Sequence, residues 1–283
     1  MSNAIFTISC PDQKGITASL TNFVYQNNGN IIHADQHIDP QTNTFFMRLE
    51  WALHDFAIKR ADIASAIQPL AQKFKMQWNL NFTDHRPRVA IFVSKNLHCL
   101  HDLLFRIHLN QLPCEPVMII SNHPLAQTVA KQFDIKFLEF VVLKENKTAK
   151  EKDQIKILKE NQIDLIILAR YMQILSPQFI AQFPFKIINI HHSFLPAFIG
   201  ANPYAKAYQK GVKIIGATSH YVTEQLDEGP IIEQDIIRVS HRDTIVDLQR
   251  KSEDLERLVL SRAVLWHLEN KILVYNNKTV IFD

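Results

Sequence analysis

Three side chains near the middle of the chain have the right types to act together on a small carbonyl group. They are the amide of Asn189, the imidazole of His191 and the carboxylate of Asp227. The first two stand in Asn189-Ile190-His191-His192-Ser193-Phe194-Leu195-Pro196, the third in Leu226-Asp227-Glu228-Gly229-Pro230. An amide holds an oxygen on which charge develops, an imidazole moves protons, and a carboxylate activates a nucleophile. In extended backbone, side chains two apart share a face, so Asn189 and His191 project together while Ile190 turns into packing and His192 points away. Of the 6 glycines, four (Gly200, Gly211, Gly216 and Gly229) fall in this window. Glycine suits positive φ and close backbone approach, so unusual backbone geometry is concentrated here.

These residues need strand ends and loops to position them. Residues 89–93, 117–121, 163–169 and 186–190 read as continuously apolar, buried-type strands, and 98–109, 125–133 and 151–161 as the helices between them. Alternating β and α elements with apolar strands imply a doubly wound, mostly parallel, Rossmann-like sheet. Such sheets bind ligands beyond the carboxyl ends of their strands, where Asn189 falls. Residues 214–222 and 231–239 read as longer strands, 244–268 as a long helix, and a short hairpin around Asn276-Asn277 follows.

The first eighty or so residues have a different rhythm. A β-prone run at 4–9 precedes helical spacing at 16–27, which stops at the C-cap signal Asn28-Gly29. Residues 30–38 and 44–53 alternate apolar and polar like half-buried strands, 56–74 is helical, and 76–82 alternates again. The order βαββαβ is the ferredoxin-like pattern. The polar, Pro-containing stretch 83–88 reads as a linker, dividing the chain into a domain at 1–82 and a second at 89–283.

Composition excludes several classes. The 283 residues are 47% hydrophobic and 21% charged with a formal net charge of +3, which suits an ordinary globular protein and implies no nucleic-acid partner. No apolar run of membrane-spanning length and no secretory leader pattern is visible, so neither membrane association nor export is expected, and the cytoplasm is the expected location. Cys10, Cys99 and Cys114 are too few and scattered for a disulfide framework, and the 13 histidines include no HExxH or zinc spacing, so no metal is expected.

Two resemblances sharpen this reading. The segment ISCPDQKGITASLTNFVYQNNGNI, with its CPDxxGI and NNGNI turns, resembles the opening of ACT domains over residues 3–82. That resemblance implies regulation or oligomerisation. It makes Asp12, Gly15 and Asn28 a candidate effector site, with an amino acid tied to one-carbon metabolism, such as glycine or methionine, as effector. It also implies a homo-oligomer, a dimer or tetramer. In the second domain, NIHHSFLPAFIGANPYAKAY together with GATSHYVTEQLDEGPII resembles the folate-dependent formyl transferase and hydrolase superfamily over most of residues 88–283. Carried over, Asn189, His191 and Asp227 match its catalytic Asn, His and Asp. LARYMQILSP at 168–177 matches its folate-pocket wall, giving Tyr171, Met172, Gln173, Ile174 and Leu175 as substrate-binding residues. Val222, Thr223 and Glu224 match the pterin-contacting loop, and Gly200 is a further substrate-binding candidate. Gln173 stands where the nucleotide transferases of the superfamily often carry a basic residue. The substrate implied is a formylated tetrahydrofolate, with no separate cofactor.

Members of the superfamily differ in the nucleophile, which is a ribonucleotide amine, an aminoacyl-tRNA or water. A nucleotide phosphate needs an anion cradle, usually a Gly-rich turn into a helix N-terminus. The corresponding stretch, Val93-Ser94-Lys95-Asn96-Leu97-His98-Cys99-Leu100, has no glycine. A tRNA acceptor would call for a basic extra domain, which the N-terminal one is not. Water remains. The expectation is therefore the hydrolytic branch, which releases formate from 10-formyltetrahydrofolate, feeds purine synthesis and balances one-carbon pools. The alternative is transfer to an amine such as glycinamide ribonucleotide, and a different class again is a folate- or amino-acid-responsive binding protein without turnover. His220, on a strand leading to the Asp227 loop, suits a structural or a functional role equally well.

Overall fold

The computed structural model describes residues 2–196 and 203–283. It divides into two compact units, one of residues 1–86 with 269–283 and one of residues 87–268. Gly200 lies outside the described residues.

The first unit follows the expected order: β1 (Asn3–Pro11), α1 (Ile16–Gln26), β2 (Asn30–Asp39), β3 (Thr44–Ala52), α2 (Ile63–Phe74) and β4 (Gln77–Phe82). Its sheet runs β2-β3-β1-β4 with every neighbouring pair antiparallel. Ile16, Leu20 and Val24 of α1 and Ile63, Ile67, Ala71 and Phe74 of α2 pack with Phe6, Ile8, Met47, Leu49 and Trp51 of the sheet. The second helix begins seven residues later than its apolar spacing suggests. The Ala57 amide donates to Asn27 O and Asn28 Nδ2 donates to Asp55 O, tying residues 55–57 to the end of α1 rather than into a helix.

The last fifteen residues correct the domain division drawn from sequence. The hairpin of β12 (Ile272–Tyr275) and β13 (Lys278–Ile281), read as part of the second domain, belongs to the first unit. Tyr275 packs its ring on Phe46 at 4.5 Å between centroids and donates to Asp39 Oδ2. Arg48 donates to the Glu269 and Asn270 carbonyls while pairing with Glu50 at 2.9 Å. This explains why β3 is buried almost throughout instead of alternating, since its polar members are covered by the hairpin. The linker is shorter than 83–88 too. Thr83 and Asp84 bond back to Asn3 and Arg60, and Arg88 already opens the next sheet.

The second unit is built on β5 (Arg88–Val93), α3 (His98–His108), β6 (Glu115–Ser121), α4 (Gln127–Gln132), β7 (Lys136–Glu139), α5 (Lys147–Glu160), β8 (Leu165–Leu168), α6 (Pro177–Ile180) and β9 (Ile187–His191). There follow α7 (Pro203–Lys210), β10 (Ile214–Tyr221), β11 (Ile231–Arg238) and α8 (Ile245–Leu268). Strand order is β11-β10-β9-β8-β5-β6-β7, parallel from β9 to β7 and antiparallel at β9–β10 and β10–β11. The order reverses between β5 and β8, which is the switch point where such sheets bind ligands. The short β7, α6 and α7 carry too little periodicity to be read from sequence. α8 starts with reciprocal capping, in which the Thr244 amide donates to the Asp247 carboxylate and the Asp247 amide to Thr244 Oγ1. It lays Val259, Leu260, Ala263 and Val264 on the sheet. Among the described residues, no helix is long and apolar enough to cross a membrane.

Two features around β10 generate predictions. His267 of α8 accepts from the Tyr221 hydroxyl at 2.7 Å, and burial pushes its pKa down to about 4. An unfolded histidine takes up its proton near pH 6.5, so between there and pH 4 the unfolded chain binds more protons and stability falls with falling pH. From pH 7 to pH 5 this one residue contributes a loss of about 2 kcal/mol, and His267→Gln should flatten the pH dependence of the urea midpoint by that amount. Gly229 is the second feature. A Cβ there would lie 1.8 Å from the Tyr221 carbonyl oxygen, where the loop after β10 returns. Gly229→Ala should destabilise the second unit by roughly 2–3 kcal/mol in thermal melts, whereas Gly211→Ala, with open space around its Cβ position but φ +61, should cost about 1 kcal/mol.

Candidate functional site

Antiparallel pairing sets Asn189 of β9 directly opposite His220 of β10, and His191 opposite Thr218. Directly opposed side chains on one face of a sheet touch, and Asn189 Nδ2 lies 3.2 Å from His220 Nε2. The other nitrogen of His220, Nδ1, is 2.9 Å from the Tyr221 carbonyl, which can only accept. The proton therefore sits on Nδ1, and Nε2 offers its lone pair to the Asn189 amide. Burial lowers the His220 pKa, which keeps the ring neutral and this polarity intact. Asn189 thus has a fixed orientation, with one amide hydrogen committed and the second free.

Beyond β10 the loop folds back. Val222 N donates to Ile187 O, Tyr221 N to Pro230 O, and Asp227 takes a left-handed conformation with φ 59. Asp227 Oδ2 then lies 3.4 Å from His191 Nδ1, and Oδ1 lies 3.8 Å from His220 Nε2. The hydrogen bond from His191 holds the Asp227 carboxyl below its ordinary range, against the opposing effect of burial. His191 Nε2 is buried and has no hydrogen-bond partner among the described residues. The three residues expected to act together are therefore brought together, and His220 joins them as the group that orients the amide.

The backbone after His191 is clamped. Thr218 Oγ1 donates to Ser193 O and accepts from Leu195 N, while Gln234 Nε2 donates to Leu195 O and Thr218 Oγ1. On the other side, Ser94 at the end of β5 accepts from Met172 N and donates to Asn122 Oδ1, fixing the stretch after β8.

Asn189, His191 and Asp227 line a cavity of about 800 Å³. Tyr171, Met172, Gln173, Ile174 and Leu175 form one wall, and Val222, Thr223 and Glu224 stand in the facing loop. Met172 and Ile174 are 61% exposed and so present apolar surface to the cavity. Tyr171 and Leu175 are buried, with Tyr171 edge-on to Phe92. Asp12, Gly15 and Asn28 do not converge within one chain. Asp12 and Gly15 precede α1 and Asn28 follows it, so an eleven-residue helix separates them by about 16 Å.

Several residues at the cavity were not legible as functional. His192 points away from Asp227 but still lines the cavity, its ring 5.7 Å from that of Tyr204. Burial and the nearby Arg170 push its pKa down to about 4. Arg170 and Glu256 complete that side, with Arg170 Nε 3.4 Å from Glu256 Oε2. Glu256 is fully buried and takes hydrogen bonds from His98, Tyr204 and Ser252. The available signal was in α8, where Ser252 and Glu256 sit among the buried positions Leu248, Leu255, Val259 and Leu260, placing polar groups on an apolar stripe. His98, Cys99 and Glu256 bring three potential ligand atoms within 4.8 Å, but the Glu256 oxygens are already shared among four partners and burial holds the Cys99 thiol neutral.

Comparison with known proteins bears on the family and the fold. A family model described as formyl transferase matches residues 87–264. A formyltetrahydrofolate deformylase of Synechocystis sp. is 55% identical, covering 99% of this chain and 98% of its own. The crystal structure of a formyltetrahydrofolate deformylase from Pseudomonas syringae pv. tomato superposes with a TM-score of 0.98 at 42% identity, over 100% of this chain and 95% of that one. A glycinamide ribonucleotide transformylase from Symbiobacterium toebii superposes with a TM-score of 0.67 at 29% identity, over 72% of this chain and 98% of its own. By its matched domain, its fold and its near full-length relatives, this chain belongs to the formyl transferase family, on the side of the formyltetrahydrofolate deformylases.

Proposed function

We propose that this chain hydrolyses 10-formyltetrahydrofolate to formate and tetrahydrofolate. The observation that carries the reading is the buried, unpartnered Nε2 of His191 in a cavity where Nδ1 already faces the Asp227 carboxylate. With Nδ1–H directed to Asp227, Nε2 is the basic nitrogen. It takes a proton from water as the water oxygen bonds to the formyl carbon, and the ionised Asp227 stabilises the imidazolium so formed. The free hydrogen of the Asn189 amide, aimed by His220, donates to the oxygen on which negative charge develops. When the carbon–nitrogen bond breaks, the proton held on Nε2 passes to the departing folate nitrogen, leaving the neutral amine and formic acid, which loses its proton to solvent as formate.

The exposed apolar pair Met172 and Ile174, with the facing loop at Val222 to Glu224, suits the flat pterin ring. No further cofactor enters this scheme. For the first unit, the reading is an ACT-like module for assembly or amino-acid regulation in a homo-oligomer. Its ferredoxin-like sheet ends in the exposed edge strand β2, with Ile32 and Ile38 in water, which supports pairing between copies.

Incubation of the purified protein with 10-formyltetrahydrofolate and no acceptor should yield formate and tetrahydrofolate in equal amounts. Formate or formyl transfer seen only after glycinamide ribonucleotide is added would make the protein a transferase instead. Asp227→Asn should lower kcat by at least about 100-fold with folate binding, followed by calorimetry, little changed. Asn189→Ala should lose roughly 100- to 1000-fold in kcat, the usual effect of removing one oxyanion donor. A variant of either residue that retains turnover within tenfold of the parent would remove that residue from the mechanism.

A further inference from the structure

We infer that Arg170, paired with Glu256, narrows the cavity among its polar groups and reserves the formyl carbon for water. This rests on the hydrolytic reading above and names the residues that set its choice of nucleophile.

The glycinamide ribonucleotide transformylase that superposes on 72% of this chain shares its fold over that part, which leaves the side chains and loops at the cavity to select the nucleophile. The cavity is lined by the apolar Met172, Ile174 and Leu175 and by the polar Asn96, Arg170, His192, Tyr204, Glu253 and Glu256, together with Asn189 and His191. With the folate over the apolar groups, as proposed above, a larger nucleophile would have to reach the formyl carbon past the polar ones.

Two of these groups, Arg170 and Glu256, are paired. Arg170 is only 8% exposed, and it holds φ 63, a left-handed conformation that costs a side chain about 1–2 kcal/mol relative to glycine. Backbone strain of this kind persists where the surroundings over-determine it. Here the guanidinium is drawn in by Glu256, which is itself fixed by His98, Tyr204 and Ser252. His98 belongs to the glycine-free turn after β5 and opens α3, where a phosphate cradle would otherwise stand. A phosphorylated amine would meet two carboxylates, Glu253 and Glu256, and a guanidinium whose charge is already opposed. Arg170 Nε and Nη1 are buried and lack hydrogen-bond partners among the described residues, so the Glu256 charge is what holds the guanidinium there.

The test is a partition measurement. Enzyme and 10-formyltetrahydrofolate are incubated with excess glycinamide, and formate and N-formylglycinamide are quantified together. Either oxygen of water or nitrogen of the amine bonds to the formyl carbon, and the same carbon–nitrogen bond to folate breaks, so the product ratio is independent of overall rate. The parent protein should give formate alone. Arg170→Gly, which suits the left-handed backbone, and Arg170→Gly with Glu256→Gln should raise the share of N-formylglycinamide at least tenfold. Arg170→Lys, which keeps the ion pair, covers the case in which the glycine variants do not fold, and should raise that share about threefold. Formate alone from folded variants overturns the inference, as does N-formylglycinamide from the parent in the same proportion. Loss of both products with circular dichroism unchanged would put Arg170 in the chemistry itself and overturns it too. Absence of formate from the parent protein would instead defeat the hydrolytic reading, a distinguishable result.

Discussion

The site depends on one reversal of direction, the antiparallel pairing of β10 against the last parallel strand β9. Because the partners are in register, His220 faces Asn189 and Thr218 faces His191 on one side of the sheet. Every later feature inherits this. The amide is oriented by a neutral histidine whose own proton is tied to the backbone. The segment after His191 is held by the threonine one register step away. The loop leaving β10 then has only a few residues in which to double back and present Asp227. That accounts both for the glycine whose Cβ would strike Tyr221 and for the left-handed backbone of Asp227.

Two carboxylates of the second unit, the half-buried Asp227 and the buried Glu256, are kept ionised in different ways. Asp227 is held mainly by a single imidazole, and it remains beside an open cavity where a proton has somewhere to go. For Glu256, burial acts to raise the pKa, but the hydrogen bond from His98 and the charge of Arg170 prevail and keep it low. It is surrounded by donors on all sides, and such a saturated network is rigid rather than reactive. The histidine pair between them divides accordingly. His191 faces the reactive acid, and His192 stays neutral against Tyr204 and Arg170.

Much of this was legible in the residues. Apolar runs such as 89–93 and 163–169 announced buried parallel strands, and the period of two put Asn189 and His191 on a common face. Asp227 stood out because the glycine and proline beside it marked a tight loop. What stayed hidden shares one physical cause, dependence on distant partners. Residues 56–62 have helical spacing, but the Ala57 amide goes to Asn27 at the end of α1. β3 has an alternating sequence and an unalternating burial, because its cover comes from more than two hundred residues away in the chain. Arg170 lay inside a recognisable motif, yet nothing local said that its guanidinium would meet a carboxylate eighty-six positions further on.

The discontinuity of the first unit has a consequence for biosynthesis. Residues 1–86 leave the ribosome early, but residues 269–283 follow only after the whole of the second unit has been translated. Until then the sheet surface around Phe46 and Arg48 lacks the strands that cover it. The nascent chain therefore carries a half-finished module whose completion waits on the rest, so an unfinished polypeptide released early would expose that face to holdase chaperones and proteases.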